Sequence, residues 1–259
     1  MSYALITGAA KGIGSAIAVE MAEKGYNLLL VDIDAAGLER TKNKINDKQS
    51  VGVHTLPLDL SFSDSAKKIK EWSSLYHNEL NVVINNAGYG LNAPFESLQI
   101  EEHENIIDVN IKAQLKIAHA FIPVLRQFSQ SYLLNVGSTT SFQSVPYLSV
   151  YAASKAFVIS FTRSLRYELK DSPISVSCLI PGSTDTDFVN RARMGEFVRK
   201  KASTYNMTAE SVAKIAVRGM FNKKAEIIPG MSNQLHSFFP KFFPKSLVEK
   251  IAGDLYKPR

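Results

Sequence analysis

Apolar residues along this chain fall into two alternating rhythms. Short runs rich in Val, Ile and Leu, bounded by turn residues, occupy 3–7, 27–31, 52–56, 81–85, 131–136, 174–180 and 226–228. They are apolar on both alternating faces, which is the pattern of strands covered on both sides. Between them, 13–24, 35–45, 63–76, 101–128, 150–169 and 209–221 carry apolar residues at three- and four-residue spacing, the mark of helices that bury one stripe. Gly25 stops the first of these helices just before the second strand. Strand and helix alternate almost without exception. The pattern predicts an α/β fold: a parallel sheet of seven strands with right-handed crossovers, whose ligand crevice lies beyond the carboxyl ends of the strands.

Composition bounds this picture without changing it. At 259 residues, 45% hydrophobic and 21% charged, the chain can bury a full core, and no stretch dominated by Gly, Ser, Pro or like charges divides it. One domain spanning 1–259 is expected. A formal charge of +6 raises a polyanionic partner, but the basic residues of 42–48, 67–70 and 191–201 are interspersed with acidic and apolar positions, as on solvated helix faces. Nucleic-acid binding is therefore set aside. No apolar run approaches the ~18 residues of a spanning helix, and the first residues lack a basic region followed by an apolar core, so a cytoplasmic protein is expected. The single Cys178 sits in a strand and reads as a small core residue. Five scattered His residues form no ligand cluster, and no metal is expected.

The first strand runs into Thr7-Gly8-Ala9-Ala10-Lys11-Gly12-Ile13-Gly14, after which a helix begins. Gly8 allows a tight turn, Gly12 lets backbone approach a pyrophosphate, and Gly14 permits close helix packing, while the helix N-terminus offers free amides to an anion. Asp32, at the end of the second strand, stands near the ~20-residue offset at which an acid grips an adenosine ribose. A carboxylate there accepts from ribose hydroxyls and repels a 2′-phosphate, by about 4 kcal/mol per charge pair at ~4 Å near a surface. That favours NAD, with NADP the alternative. Lys11 pulls toward NADP if it meets a 2′-phosphate and is neutral if it is a solvated loop lysine. Asp59 and Leu60 follow the third strand, where Asp59 can accept from an adenine amino group. Asn85-Asn86-Ala87-Gly88 closes the fourth, its small residues able to lie against a cofactor.

Tyr151-Ala152-Ala153-Ser154-Lys155 opens the helix after the fifth strand, and residues four apart share a helix face. A phenol with a pKa near 10 needs about 4 kcal/mol to ionise at neutral pH, an energy that one nearby ammonium in a partly dry site can supply. Ser138, at the end of the fifth strand, offers a hydroxyl to hold a substrate oxygen beside that phenol, with Thr139, Thr140 and Ser141 as neighbouring hydroxyls.

Thr-Gly-x-x-x-Gly-x-Gly, Asn-Asn-Ala-Gly, Tyr-x-x-x-Lys and Pro-Gly occur in that order over 3–228, and together they resemble the short-chain dehydrogenase/reductase family. The resemblance implies a Rossmann-type, doubly wound sheet with helices on both faces, NAD or NADP as cofactor, and a homodimer or homotetramer formed through the helices after the fourth and fifth strands. It implies that Tyr151 exchanges a proton with the substrate oxygen, that Lys155 lowers the phenol pKa and binds the nicotinamide ribose, and that Ser138 orients the carbonyl. It places Asn110 at a position whose side-chain amide fixes a water in a proton relay, and it assigns Pro181, Gly182 and Thr186 to the carboxamide end of the cofactor. Ile33 stands where NADP-using relatives commonly carry Arg.

Two segments fall outside these motifs. The stretch 187–205 reads as a lid over the substrate, with Phe188, Val189, Met194, Phe197 and Val198 among Arg191, Arg193 and Arg199. It suits an apolar substrate bearing an anionic group, or a lid packing its own apolar face. The tail 231–259 carries Phe238-Phe239-Pro240-Lys241-Phe242-Phe243-Pro244-Lys245 and an amphipathic segment at 246–256. Weak contact with a membrane surface, packing on another subunit and closure of the substrate cleft are the three readings. The functional expectation is hydride transfer with a small-molecule alcohol or carbonyl; the alternative is a non-catalytic NAD(H)-binding regulatory or scaffold protein of the same fold.

Overall fold

The computed structural model describes residues 2–196 and 206–258. Its strands are β1 (Tyr3–Thr7), β2 (Asn27–Asp32), β3 (Val53–Pro57), β4 (Leu80–Asn85), β5 (Ser131–Val136), β6 (Ile174–Leu179), β7 (Thr184–Asp185), β8 (Met207–Thr208) and β9 (Glu226–Ile227). Its helices are α1 (Gly12–Glu23), α2 (Ala35–Asn46), α3 (Ser65–Trp72), α4 (Ile100–Ile107), α5 (Gln114–Leu125), α6 (Ser149–Glu168), α7 (Phe188–Arg191), α8 (Ala209–Phe221), α9 (Met231–Phe238) and α10 (Lys245–Tyr256). Seven strands form one parallel sheet in the order β3-β2-β1-β4-β5-β6-β9, as the alternating pattern predicts.

The central strands carry apolar residues on both faces because each face meets a helix layer. Ile6, Leu28, Leu30, Val82 and Ile84 pack with Ile17, Leu38 and Val217 from α1, α2 and α8. Residues of the alternate phase, Leu5, Leu29, Val31, Val83 and Leu133, pack on the other side with Ile69, Phe121 and Leu165 from α3, α5 and α6. This is the doubly wound arrangement. Strand order reverses between β1 and β4, and the two chains leaving those strands diverge to opposite faces, opening a crevice at their carboxyl ends.

The helix expected over 101–128 is interrupted. Asp108–Ala113 forms a wide π turn between α4 and α5. Such turns commonly sit at functional positions, and this one holds Asn110, fully buried. The expected helix at 63–76 likewise divides into α3 and a short 3-10 turn at Ser74–Tyr76. β7 and β8 pair with each other outside the main sheet and tie the start of the lid segment to the residues before α8; at two residues each they leave no periodic trace in the sequence. No helix among the described residues is long and apolar enough to cross a membrane.

Phe121 is the largest fully buried side chain among the described residues, set between α5 and the sheet. Replacing it with Ala is expected to cost about 3–5 kcal/mol of unfolding free energy by denaturant titration, with the slope of the transition unchanged.

Candidate active site

The crevice has a volume of about 520 Å³ and is floored by the turn after β1. Gly8 and Gly12 hold φ of +67° and +59°, a left-handed backbone that side chains rarely adopt. A Cβ on Gly8 would lie 2.8 Å from the Ala87 Cα, and one on Gly12 would lie 3.1 Å from the Thr186 Cγ2. Gly14 stands behind the crevice wall, where a Cβ would fall 2.0 Å from the Gly8 carbonyl oxygen. Glycine at that position is what lets α1 close on the turn. The turn after β4 is stapled to the same place. The Asn86 side chain donates to the carbonyls of Thr7 and Gly8, both at 3.0 Å, and the Thr7 hydroxyl accepts from the Asn86 and Ala87 amides. The result is a bare backbone cradle at a helix N-terminus, lined also by Lys11, Ile13, Asn86, Ala87 and Gly88, and it fits a dinucleotide pyrophosphate.

Asp32 lies beside that cradle, its carboxylate held by the Ala10 amide at 3.0 Å and the Asp34 amide at 3.0 Å. Asp59, Leu60 and Ile33 line the same end, with the Asp59 carboxylate accepting from the Ser61 amide at 2.9 Å. The Lys11 ammonium is neither free nor aimed at β2. It forms a 2.8 Å ion pair with Asp187 at the start of the lid, both side chains about half exposed (46% and 47%), and it holds the Asp187 carboxyl below the usual carboxylate range.

On the opposite wall, Ser138, Tyr151 and Lys155 face the crevice together. The Ser138 hydroxyl lies close enough to the Tyr151 phenol to lower its pKa, and its oxygen accepts from the Thr140 amide at 3.2 Å and hydroxyl at 3.0 Å. The Lys155 ammonium sits 5.9 Å from the Tyr151 ring centroid and donates to the Val136 carbonyl at 2.8 Å. The sequence suggests a phenol drawn toward neutrality by this lysine. Among the protein's own groups burial prevails instead: the Tyr151 phenol is pushed up to about 12, with the Ser138 bond lowering it and Tyr256 raising it further. The same burial brings Lys155 down to about 8. Cys178 behaves as a core residue, its thiol pushed up to about 12 by burial.

The Asn110 side chain is held by three hydrogen bonds. The oxygen accepts from the Tyr89 amide at 3.0 Å, and the nitrogen donates to the Tyr89 carbonyl at 2.9 Å and the Ser154 hydroxyl at 2.9 Å. It thus braces the Gly88–Tyr89 backbone against the helix that carries Tyr151 and Lys155. A Cβ on Gly88 would lie 2.9 Å from the Lys155 Nζ, so the brace and the ammonium leave room only for glycine.

Pro181, Gly182 and Thr186 line the crevice beyond Lys155, and Gly182 is closed from behind by Asn233 of α9, whose Oδ1 would lie 2.1 Å from a Cβ there. Of the lid expected over 187–205, Phe188, Val189, Arg191 and Met194 line the crevice. Phe197, Val198, Arg199 and the remainder of 197–205 lie outside the described residues. Three residues were missed from the sequence. Gly90 lies under the phenol, where a Cβ would meet the Tyr151 Cγ at 2.7 Å. Tyr89 carries the Arg191 guanidinium over its ring at 5.2 Å. Tyr256 enters the crevice from the far end of α10. Gly90 falls two residues past Asn-Asn-Ala-Gly and had a signal; for Tyr256, more than 100 positions from Tyr151, the sequence offered only closure of the cleft as one reading of the whole tail.

A family model described as short chain dehydrogenase matches residues 2–196. An uncharacterized oxidoreductase of Staphylococcus epidermidis is 29% identical over 204 residues, 79% of this chain and 86% of its own length. Among solved structures, a short-chain dehydrogenase from Sphingobium yanoikuyae in complex with NADPH is 26% identical with a TM-score of 0.80, over 100% of this chain and 96% of that one. A 3-ketoacyl-(acyl-carrier-protein) reductase from Brucella melitensis complexed with NADH is 25% identical with a TM-score of 0.77, over 89% and 98%.

Burying the Lys155 ammonium costs the fold about 3 kcal/mol at neutral pH. Its folded pKa lies below its unfolded value, so the unfolded chain binds the extra proton between about 8 and 10.5, and stability rises with pH through that window. Lys155→Met, which loses the charge along with the bond to Val136, is expected to be at least as stable as the parent at pH 7, by up to about 2 kcal/mol. The advantage should shrink as pH climbs from 8 toward 10.5 in thermal unfolding. A mutant that is clearly less stable at pH 7 would mean the ammonium is not strained by burial.

Proposed function

This chain belongs to the short chain dehydrogenase family, and from that premise we propose that it moves hydride between a nicotinamide dinucleotide, NAD in preference to NADP, and an alcohol or carbonyl carbon, with Tyr151 as the acid/base. The observation that carries this reading is that Ser138, Tyr151 and Lys155 share one crevice with the glycine cradle. Gly8, Gly12, Asp32, Asp59 and Thr186 would hold the dinucleotide, which when bound supplies the carbon that gives or takes hydride.

The side chains divide the remaining work. In reduction Tyr151 gives its proton to the substrate oxygen as the oxygen gains charge, and in oxidation it takes the proton back. Ser138 is suited to donate to the same oxygen, because its lone pairs are engaged by Thr140 and its hydrogen is turned toward the Tyr151 phenol, beside which that oxygen would lie. Lys155, screened from water, favours the phenolate that remains after reduction. Asn110 acts at one remove by fixing Gly88 and Tyr89. NAD is preferred on the strength of Asp32, whose carboxylate lines the crevice and would repel a 2′-phosphate bound beside it, while the Lys11 charge is already met by Asp187. A dinucleotide-binding protein without turnover is the second reading, and it leaves the Ser138–Tyr151–Lys155 arrangement without a task. Assembly into dimers or tetramers through α5 and α6 belongs to the same proposal, supported by the exposure of Leu115 and Tyr167 on those helices.

The test is oxidation of NADH and NADPH by purified protein against panels of ketones, aldehydes and acyl thioesters. Tyr151→Phe is expected to lower kcat/KM by about 10²–10⁴-fold on any substrate found while dinucleotide affinity, read by fluorescence titration, stays unchanged. Full turnover in that variant would remove the phenol from the mechanism. With the phenol raised to about 12, reduction should be level through neutral pH and fall only on the alkaline side, whereas oxidation should rise with pH. Asp32→Ser should narrow the gap between NAD and NADP affinities by about tenfold or more; an unmoved ratio would place cofactor choice elsewhere.

A further inference from the structure

The chain's last helix returns to its catalytic wall. Tyr256, the final residue of α10, lines the crevice and packs with Leu148, Tyr151, Ala192 and Met194. Its phenol is deep enough that burial pushes its pKa up, and it is close enough to act on that of Tyr151. α10 lies against the loop that leads into α6, with Ala252 buried and Gly253 facing Pro146, whose Cγ would lie 3.5 Å from a Cβ at that position.

One buried side chain pins this arrangement. Asn92 is 4% exposed. Its side-chain nitrogen donates to the Tyr256 carbonyl at 2.9 Å and to the Tyr147 carbonyl at 3.2 Å, and its backbone amide donates to the Ala192 carbonyl at 2.8 Å. The next amide, of Ala93, also donates to Tyr147, at 3.0 Å. Tyr147 holds φ at 64°, a left-handed backbone for a bulky residue, which persists only where surroundings over-determine it. Asn92 therefore joins the lid, the approach to the catalytic helix and the C-terminal helix at one point.

We propose that α10, pinned by Asn92, is a wall of the substrate site and that the Tyr256 ring sets the length of the substrate arm that can lie beyond Tyr151. The inference rests on the hydride-transfer reading above and adds its substrate class: ketones or secondary alcohols with at least one short apolar arm, since Leu148, Met194, Phe188 and Tyr256 offer that end of the crevice mostly carbon. Asn92 is a positioning residue, acting through the backbone of Tyr147, Ala192 and Tyr256.

Symmetric dialkyl ketones, from diethyl to dipentyl, force one arm toward Tyr256 whichever way the carbonyl binds. Their affinity for the NAD(H)-loaded protein, by calorimetry, should peak at a short arm and fall beyond it. Tyr256→Ala should move the peak to longer arms and raise affinity and kcat/KM for the longest ketones by about tenfold or more, while Tyr256→Phe keeps the original peak. Asn92→Ala should blunt the length cut-off. Dinucleotide Kd should be the same in all four proteins, and thermal unfolding confirms that each is folded. An unmoved length profile in Tyr256→Ala, a change confined to dinucleotide Kd, or no ketone binding by the parent overturns the proposal. Ketone binding with the expected length shift but no turnover would defeat the catalytic reading and leave the wall standing; turnover with an unmoved profile would do the reverse.

Discussion

A protonated lysine inside a folded protein has to be justified by something. Here Lys155 is 3% exposed, with one carbonyl at hydrogen-bond distance and a phenol ring nearby. Many of the surrounding choices follow from accommodating it. Val136 must end its strand with the carbonyl turned inward, Gly88 must lack a side chain, and Asn110 must hold the adjoining backbone still. The same dry setting that disfavours the ammonium also disfavours a phenolate, so the two groups have more to gain from each other's charge than either would at the surface.

The second organising contact is between two turns that are distant in sequence. Thr7 and Asn86 tie the end of β1 to the end of β4 where strand order reverses, and Gly8 and Gly14 let the backbones meet. Asp32 joins the same knot through the Ala10 amide. The cradle is thus held together by the protein's own contacts, which limits the ordering that binding must supply.

The parallel sheet, its two helix layers and most of the crevice were legible because they follow from local regularities: period-two and period-3.6 patterns, and glycines where backbones crowd. Tyr151 and Lys155 were legible for the same reason, one helical turn separating them. What escaped was set by tertiary contact. The π turn depends on Asn110 finding Tyr89 and Ser154 in space, and nothing between 101 and 128 announces it. The pKa order of Tyr151 and Lys155 depends on how completely both are buried, which spacing alone does not fix. Sequence alone allows Lys11 two readings because its partner, Asp187, lies 176 positions away. The tail admits three readings from sequence, and in the structure α9 backs Gly182 and α10 carries Tyr256 into the crevice, while Phe238, Phe239 and Phe242 are exposed.

The wide turn at Asp108–Ala113 also governs phase. Each α-helical residue advances the side-chain direction by ~100°, and a turn one residue wider offsets everything after it by about that angle. Asn110 points at Tyr89 and Ser154 while Phe121, in the next helix, points into the sheet-facing core. A regular helix through the same stretch would put these two demands out of register, aligning one only by swinging the other toward solvent. The extra residue works as a gear tooth between crevice and core, so a single deletion between 107 and 114 would be felt at both ends of the helix at once.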